Sequence, residues 1–185
     1  MKKTIIFSLV IYIVGAFPFA QAEETTKGIS KADKLKAVFI YNFTEYIQWP
    51  DAKTSAPFVI AIIGKSPLVI PLKEIAQKKK VSGNRKIEIK LLKNIESIKT
   101  CQILFISASE KKKLAEIVKK VKGKHILTIS DSKGFAARGV AINFVRIGEK
   151  VKFEMNRNVI THSGFKVSSQ LLKLAIPIRE EDEKT

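Results

Sequence analysis

The chain has 185 residues, 45% of them hydrophobic, and carries 34 lysines and arginines against 17 aspartates and glutamates, a formal net charge of +17. Length and apolar fraction suit one globular domain with a core of its own, and no repeat or low-complexity tract argues for a solenoid or a disordered chain. A single cysteine, Cys101, excludes an internal disulfide, and two distant histidines with one cysteine exclude a zinc set.

The N-terminus opens with Lys2 and Lys3, continues apolar and uncharged from Thr4 to Phe19, and ends in Ala20-Gln21-Ala22. Small residues thus stand at the two positions a signal peptidase reads. This predicts a cleavable secretory signal peptide over 1–22, cut after Ala22. The alternative is an uncleaved anchor, which needs about 20 apolar residues. The stretch is shorter than that, and Pro18 interrupts it. Residues 23–30 read as a polar leader, 31–178 as one folded domain and 179–185 as a charged tail. Removing Lys2 and Lys3 from the net charge of +17 leaves +15, densest at Lys78-Lys79-Lys80 and Lys111-Lys112-Lys113. In the cytoplasm such a balance points to nucleic acid, but an exported chain meets little of it, so none is expected as a partner. The lysines are either solvated helix ends and loops, or an attraction to an acidic partner surface, an envelope polymer or lipid headgroups.

Ser30 to Trp49 predicts a helix capped by Ser30 and stopped by Pro50, with Leu35, Val38, Phe39, Asn42, Phe43, Tyr46 and Ile47 at helical spacing. Phe58 to Ile63 is an unbroken, largely β-branched run ended by Gly64, the pattern of a strand buried on both faces. A helix opens at Ser66 or Pro67 and runs to about Lys78. Lys86 to Leu92 alternates, with Ile87, Ile89 and Leu91 on one face. Cys101 to Ile106 reads as a second buried strand, and Ser107 to Glu110 cap a helix to about Val121. His125 to Ile129 reads as a third buried strand. Val140 to Ile147 and Lys150 to Asn156 flank Gly148-Glu149 as a hairpin. Short helices follow over Asn156 to His162 and from Ser168-Ser169 to Leu174, ended by Pro177. The alternation predicts a three-layer α/β/α sandwich, with a mainly parallel sheet of about five or six strands and a C-terminal antiparallel hairpin.

In such a fold a small ligand binds beyond the strand C-termini, here Gly64, Lys65 and Ser66, Ser107 and Ser109, and Asp131. Gly64-Lys65-Ser66 ends like a phosphate-binding P-loop, but the position its first glycine needs is Val59, inside the strand, so the loop is too short to wrap phosphates. Nucleophilic catalysis lacks its parts. His125 opens a strand, His162 and Ser163 point apart, and no Gly-x-Ser-x-Gly elbow is present. Neither catalytic residues nor a metal or other cofactor is expected. Cys101 heads an apolar run and reads as a buried thiol, with an intermolecular disulfide as the other reading. Phe39, Phe43, Tyr46 and Trp49 form an aromatic stripe three or four residues apart. Partner or dimer contacts are expected at Phe43, Tyr46 and Trp49, and in the last helix at Leu171, Leu172 and Leu174, where core packing is the competing role.

The segment Ala37-Val38-Phe39-Ile40-Tyr41-Asn42-Phe43-Thr44-Glu45-Tyr46-Ile47-Gln48-Trp49-Pro50 resembles the opening signature of the YfiR-like (DUF4154) family. Cys101 to Ile106, Phe153-Glu154-Met155-Asn156 and Gly164 to Ala175 resemble later signatures, in order across about 31–175. The resemblance implies a small exported α/β protein, often a homodimer, that is not an enzyme. The best-understood member is periplasmic and represses an inner-membrane diguanylate cyclase by binding its periplasmic sensing domain. An outer-membrane lipoprotein sequesters that member, and lost repression raises cyclic di-GMP and favours biofilm. For this chain the resemblance implies a periplasmic repressor of a membrane-bound signalling enzyme; a periplasmic small-ligand-binding protein is the alternative. Other members carry more cysteines, and internal disulfides make their fold redox-sensitive. Cys101 has no internal partner, so that control does not carry over. The protein recovered from the envelope is expected to give an intact mass beginning at Glu23; a mass that retains Met1 to Ala22 would mean an uncleaved anchor.

Overall fold

The computed structural model describes residues 29–50 and 56–178. The signal peptide over 1–22, the leader up to residue 28 and the tail over 179–185 lie outside the described residues. The first helix, α1 (Lys31–Tyr46), begins as its sequence dictates: the Ser30 hydroxyl accepts the Asp33 amide at 3.0 Å, and Asp33 places a carboxylate at the positive end of the helix. It ends three residues before Trp49. Ile47–Gln48 leave the helix as β1 and pair antiparallel with Lys166–Val167, β9. Ala37, Ile40, Phe43 and Thr44 face the core, whereas Leu35, Val38 and Tyr46 are 43%, 44% and 41% exposed. The helical spacing therefore serves two faces, only one of them internal.

β2 (Phe58–Ile63) is buried at every position. It pairs parallel with β4 (Arg85–Leu92) on one side and β5 (Ile103–Ile106) on the other. β6 (Leu127–Ser130) and β7 (Ile142–Ile147) continue the parallel order. β8 (Lys150–Met155) returns antiparallel to β7 across Gly148-Glu149, where Gly148 takes φ 58°, a conformation glycine adopts without a Cβ penalty. Two-residue strands close the edges: β3 (Lys80–Val81) antiparallel to β4, and β10 (Ile176–Pro177) parallel to β8. Among the described residues the sheet has eight strands, in the order β10-β8-β7-β6-β5-β2-β4-β3, not five or six. The two extra strands are too short to show a period, and Pro177 reads locally as a stop although an edge position tolerates it. The class is mixed α/β with a mostly parallel sheet. His125 does not belong to a strand: β6 starts at Leu127, and His125 occupies an exposed turn at φ 53°. Leu91, on the same face of its strand as Ile87 and Ile89, is 56% exposed.

Helices α2 (Val69–Lys78), α3 (Leu114–Val121), α4 (Arg157–His162) and α5 (Ser169–Leu174) complete the fold, with side-chain caps from Asn156 on α4 and Ser168 on α5. Successive strand side chains point to opposite faces, so the sheet supports two cores. Phe58, Ile60 and Ile62 pack with Ile40 and Phe43 of α1. Val59, Ala61 and Ile63 pack with Leu114, Ile117 and Val121 of α3. Phe43 is fully buried, its ring centroid 5.2 Å from Phe153 and 6.1 Å from Phe144. Phe43→Ala is therefore expected to cost about 3–5 kcal/mol, read as a lower urea midpoint at unchanged slope; a loss under 1 kcal/mol would contradict this packing.

Candidate contact site

The residues expected at the strand C-termini divide into two groups. Gly64, Lys65, Ser107 and Ser109 meet where the loops after β2 and β5 touch. The Lys65 amide donates to Ser109 Oγ at 3.2 Å, the Ser107 hydroxyl donates to the Lys65 carbonyl, and Ser109 Oγ reaches Glu110 Oε1 at 3.2 Å. Gly64 holds φ 85°, and a Cβ there would collide with Ser109 Oγ. These groups spend their hydrogen bonds on one another and tie two loops together. Ser66 instead accepts the Leu68 amide at 3.2 Å. Asp131 pairs with Lys36 of α1 at 2.7 Å, which fastens the first helix to the end of β6.

At the opposite, N-terminal ends of β2 and β4 a cleft of about 490 Å³ opens beside Trp49. One wall is Thr44, Glu45, Ile47 and Gln48, where α1 passes into β1; the other is Val81 to Gly83. Trp49 and Phe58 line it with aromatic surface. The indole stands edge-on to Phe58 at 5.1 Å and to Phe165 at 5.7 Å, and its Nε1 donates to the Gln102 carbonyl at 3.1 Å. Three contacts thus fix the ring while leaving it half-buried. Arg85, also lining the cleft, is buried; its Nε donates to the Ala56 carbonyl at 2.7 Å, and its guanidinium lies 5.4 Å from the Phe58 centroid. Burial lowers its pKa, yet an arginine remains a cation at any physiological pH. Among the described residues no carboxylate forms an ion pair with it. Fixed aromatic surface beside a desolvated arginine is the composition of a protein-binding hot spot.

The other expected contact residues are scattered. Phe43 and Leu171 lie inside the core at 0% and 4% exposure, Leu172 is half-buried, and Leu174 is 59% exposed. Tyr46 is exposed in the chain between cleft-lining Glu45 and Ile47, but α5 contributes nothing to the cleft lining. Arg85 and Phe58 were missed by the sequence reading. Arg85 did carry a signal, as the only arginine in the lysine-rich stretch from 73 to 124.

The two histidines, remote in sequence, meet one turn. His125 Nδ1 lies 3.0 Å from the Ser163 carbonyl, and His162 Nδ1 lies 2.6 Å from that of Asn158. Both rings are held on backbone oxygen. No group of three or more His, Cys, Asp or Glu side chains converges among the described residues. A second cleft of about 550 Å³ lies between α3 and α4, with Val118, Val121, Ile126 and Val159 as apolar wall and Thr128 and Asn156 as polar groups. Among the described residues no helix is long and apolar enough to cross a membrane.

The family model described as YfiR/HmsC-like (DUF4154) matches residues 33–176. No curated protein matches the chain.

Cys101 is 6% exposed. Burial pushes its thiol from 9.0 up to about 11, against a smaller opposing effect of Lys90. The fold favours the neutral thiol, so this contribution to stability is complete below pH 9 and is lost as pH rises toward 11. At pH 8 a thiol-exchange reagent is expected to label the folded protein at least about 100-fold more slowly than the urea-unfolded chain; equal rates would show that Cys101 is accessible.

Proposed function

The chain belongs to the YfiR/HmsC-like family, and on that premise we propose that it is a periplasmic regulator that represses a membrane-bound diguanylate cyclase by binding that enzyme's periplasmic sensing domain. The observation that carries the proposal is the family match across nearly the whole folded domain. The Trp49 cleft supports this reading as a place for such contact. Trp49 offers a fixed aromatic surface, and Arg85 offers guanidinium N–H groups to a partner carboxylate. Contact alone accomplishes repression if the cleft fits only the inactive conformation of the sensing domain. Moving a two-state enzyme from almost wholly active to almost wholly inactive takes about 10⁴-fold preferential binding, within reach of a few well-packed anchors. Leu35 and Val38 of α1 and, separately, Leu174 of α5 offer exposed apolar surface to a homodimer or to a sequestering outer-membrane lipoprotein.

A second reading is a periplasmic small-ligand-binding protein. The cleft between α3 and α4 favours it, because its volume and mostly apolar lining are those of small-molecule sites. The strand-end rim offers less, since Lys65, Ser107 and Ser109 hydrogen-bond to one another and Asp131 is paired with Lys36.

Deleting the gene is expected to raise cyclic di-GMP, and the wild-type allele to restore it. Tyr46→Glu is the discriminating variant. Trp49 packs on Phe58 and Phe165, so its removal also costs stability, whereas Tyr46 is exposed. Tyr46→Glu is expected to accumulate at wild-type level, weaken cyclase binding by about 10–100-fold and leave cyclic di-GMP high. Unchanged cyclic di-GMP in the deletion strain would sink the cyclase reading.

A further inference from the structure

We propose that the outer surface of α3 and the turns at its two ends form a docking face for anionic lipid headgroups of a membrane. Residues 110–124 contain seven lysines and two glutamates. All seven are exposed: Lys111 to Lys113 before the helix, then Lys119, Lys120, Lys122 and Lys124 toward and beyond its end. None forms an ion pair among the described residues. Arg138 adds an eighth cation at the edge, its guanidinium 3.5 Å from the Lys111 carbonyl.

The fold explains only part of this. Lysines near the C-terminus of α3 complement the helix dipole. Lys113 does the opposite: it occupies the N-terminal cap of α3 without a side-chain cap bond, at the end that disfavours a cation. The inner face of the helix, Leu114, Ile117 and Val121, is spent on the core, and none of the exposed large hydrophobics lies between 108 and 125.

That composition selects the partner. Protein interfaces are depleted in lysine and need aromatic or apolar anchors, which this face lacks. Every cation in the run is a lysine, a hydrated point charge without the bidentate geometry of arginine. Diffuse, unpaired, anchor-free positive charge matches a fluid anionic lipid surface, where each nearby lysine is worth roughly a fivefold gain in partition. Docking of this kind is peripheral, with no side chain to insert. α3 lies on the sheet face opposite α1, so a membrane-docked molecule keeps the Trp49 cleft free.

The test is co-sedimentation of the chain from Glu23 with vesicles of phosphatidylcholine alone or with about 30% phosphatidylglycerol, at about 50 and 500 mM salt. The expected result is binding to the anionic vesicles only, lost at high salt. The variant Lys112→Glu/Lys113→Glu/Lys119→Glu/Lys120→Glu is expected to reduce partition at least about 100-fold. Lys78→Glu/Lys79→Glu/Lys150→Glu/Lys152→Glu, an equal charge change on other exposed lysines, should stay within a few-fold of wild type. Equal loss in both variants would overturn the face in favour of net charge alone. Equal binding to neutral vesicles would overturn it outright, and so would tighter binding to soluble polyglutamate than to the anionic vesicles. Circular dichroism melting curves that match wild type ensure that each comparison reads charge. Vesicle binding is measured without the cyclase, so its outcome is independent of the regulatory proposal.

Discussion

Everything in this molecule depends on the burial of both faces of β2. Phe58 to Ile63 offers six apolar side chains in a row, so a cover on one face would leave three of them in water. The parallel partners β4 and β5 take its backbone hydrogen bonds, and the two cores take its side chains. Burying such side chains contributes about 1.5–3 kcal/mol each, so the strand acts as an organising centre on which α1 and α3 converge from opposite sides.

Gln102 extends that centre toward the cleft. Its side-chain oxygen accepts the Val59 amide at 2.7 Å, and its own amide donates to the Val59 carbonyl at 3.0 Å. Its carbonyl accepts both Leu127 N at 2.9 Å and Trp49 Nε1 at 3.1 Å. One residue at the entry to β5 therefore aligns β2 and β6 and orients the indole of the proposed contact surface. The β1–β9 pairing works in the same direction: it brings the segment around Phe165 against the end of α1, where the Phe165 ring backs Trp49. A surface held this way is preorganised, which lowers the ordering cost of binding.

Charge is distributed with comparable economy. The ion pair of Asp131 with Lys36 ties α1 to the sheet, Arg85 is buried at the cleft, and the large lysine excess stays on the surface with few acidic neighbours. Folding makes little use of that excess, since exposed unpaired lysines contribute almost nothing to stability. The charge is therefore free to act between molecules.

The elements legible in the sequence are those specified by neighbours in the chain. Ser30 caps α1 because a hydroxyl reaches an amide three residues on, β2 announces itself by an unbroken apolar run, and the β7–β8 hairpin by alternation around Gly148. Phe43 was legible as part of a stripe but not as core rather than contact, because periodicity reveals a face and not what covers it. The end of α1 at Tyr46, the two-residue edge strands, the separation of Asp131 from the other rim residues and the meeting of Arg85 with Trp49 and Phe58 were decided only in three dimensions. Each depends on partners tens of residues away, and a pairing energy shared with a distant segment leaves no period in the local sequence. The sequence by itself determined the class of fold, its central strand and its charge; tertiary structure alone decided which aromatic residues stay at the surface, since that depends on what the rest of the chain folds over them.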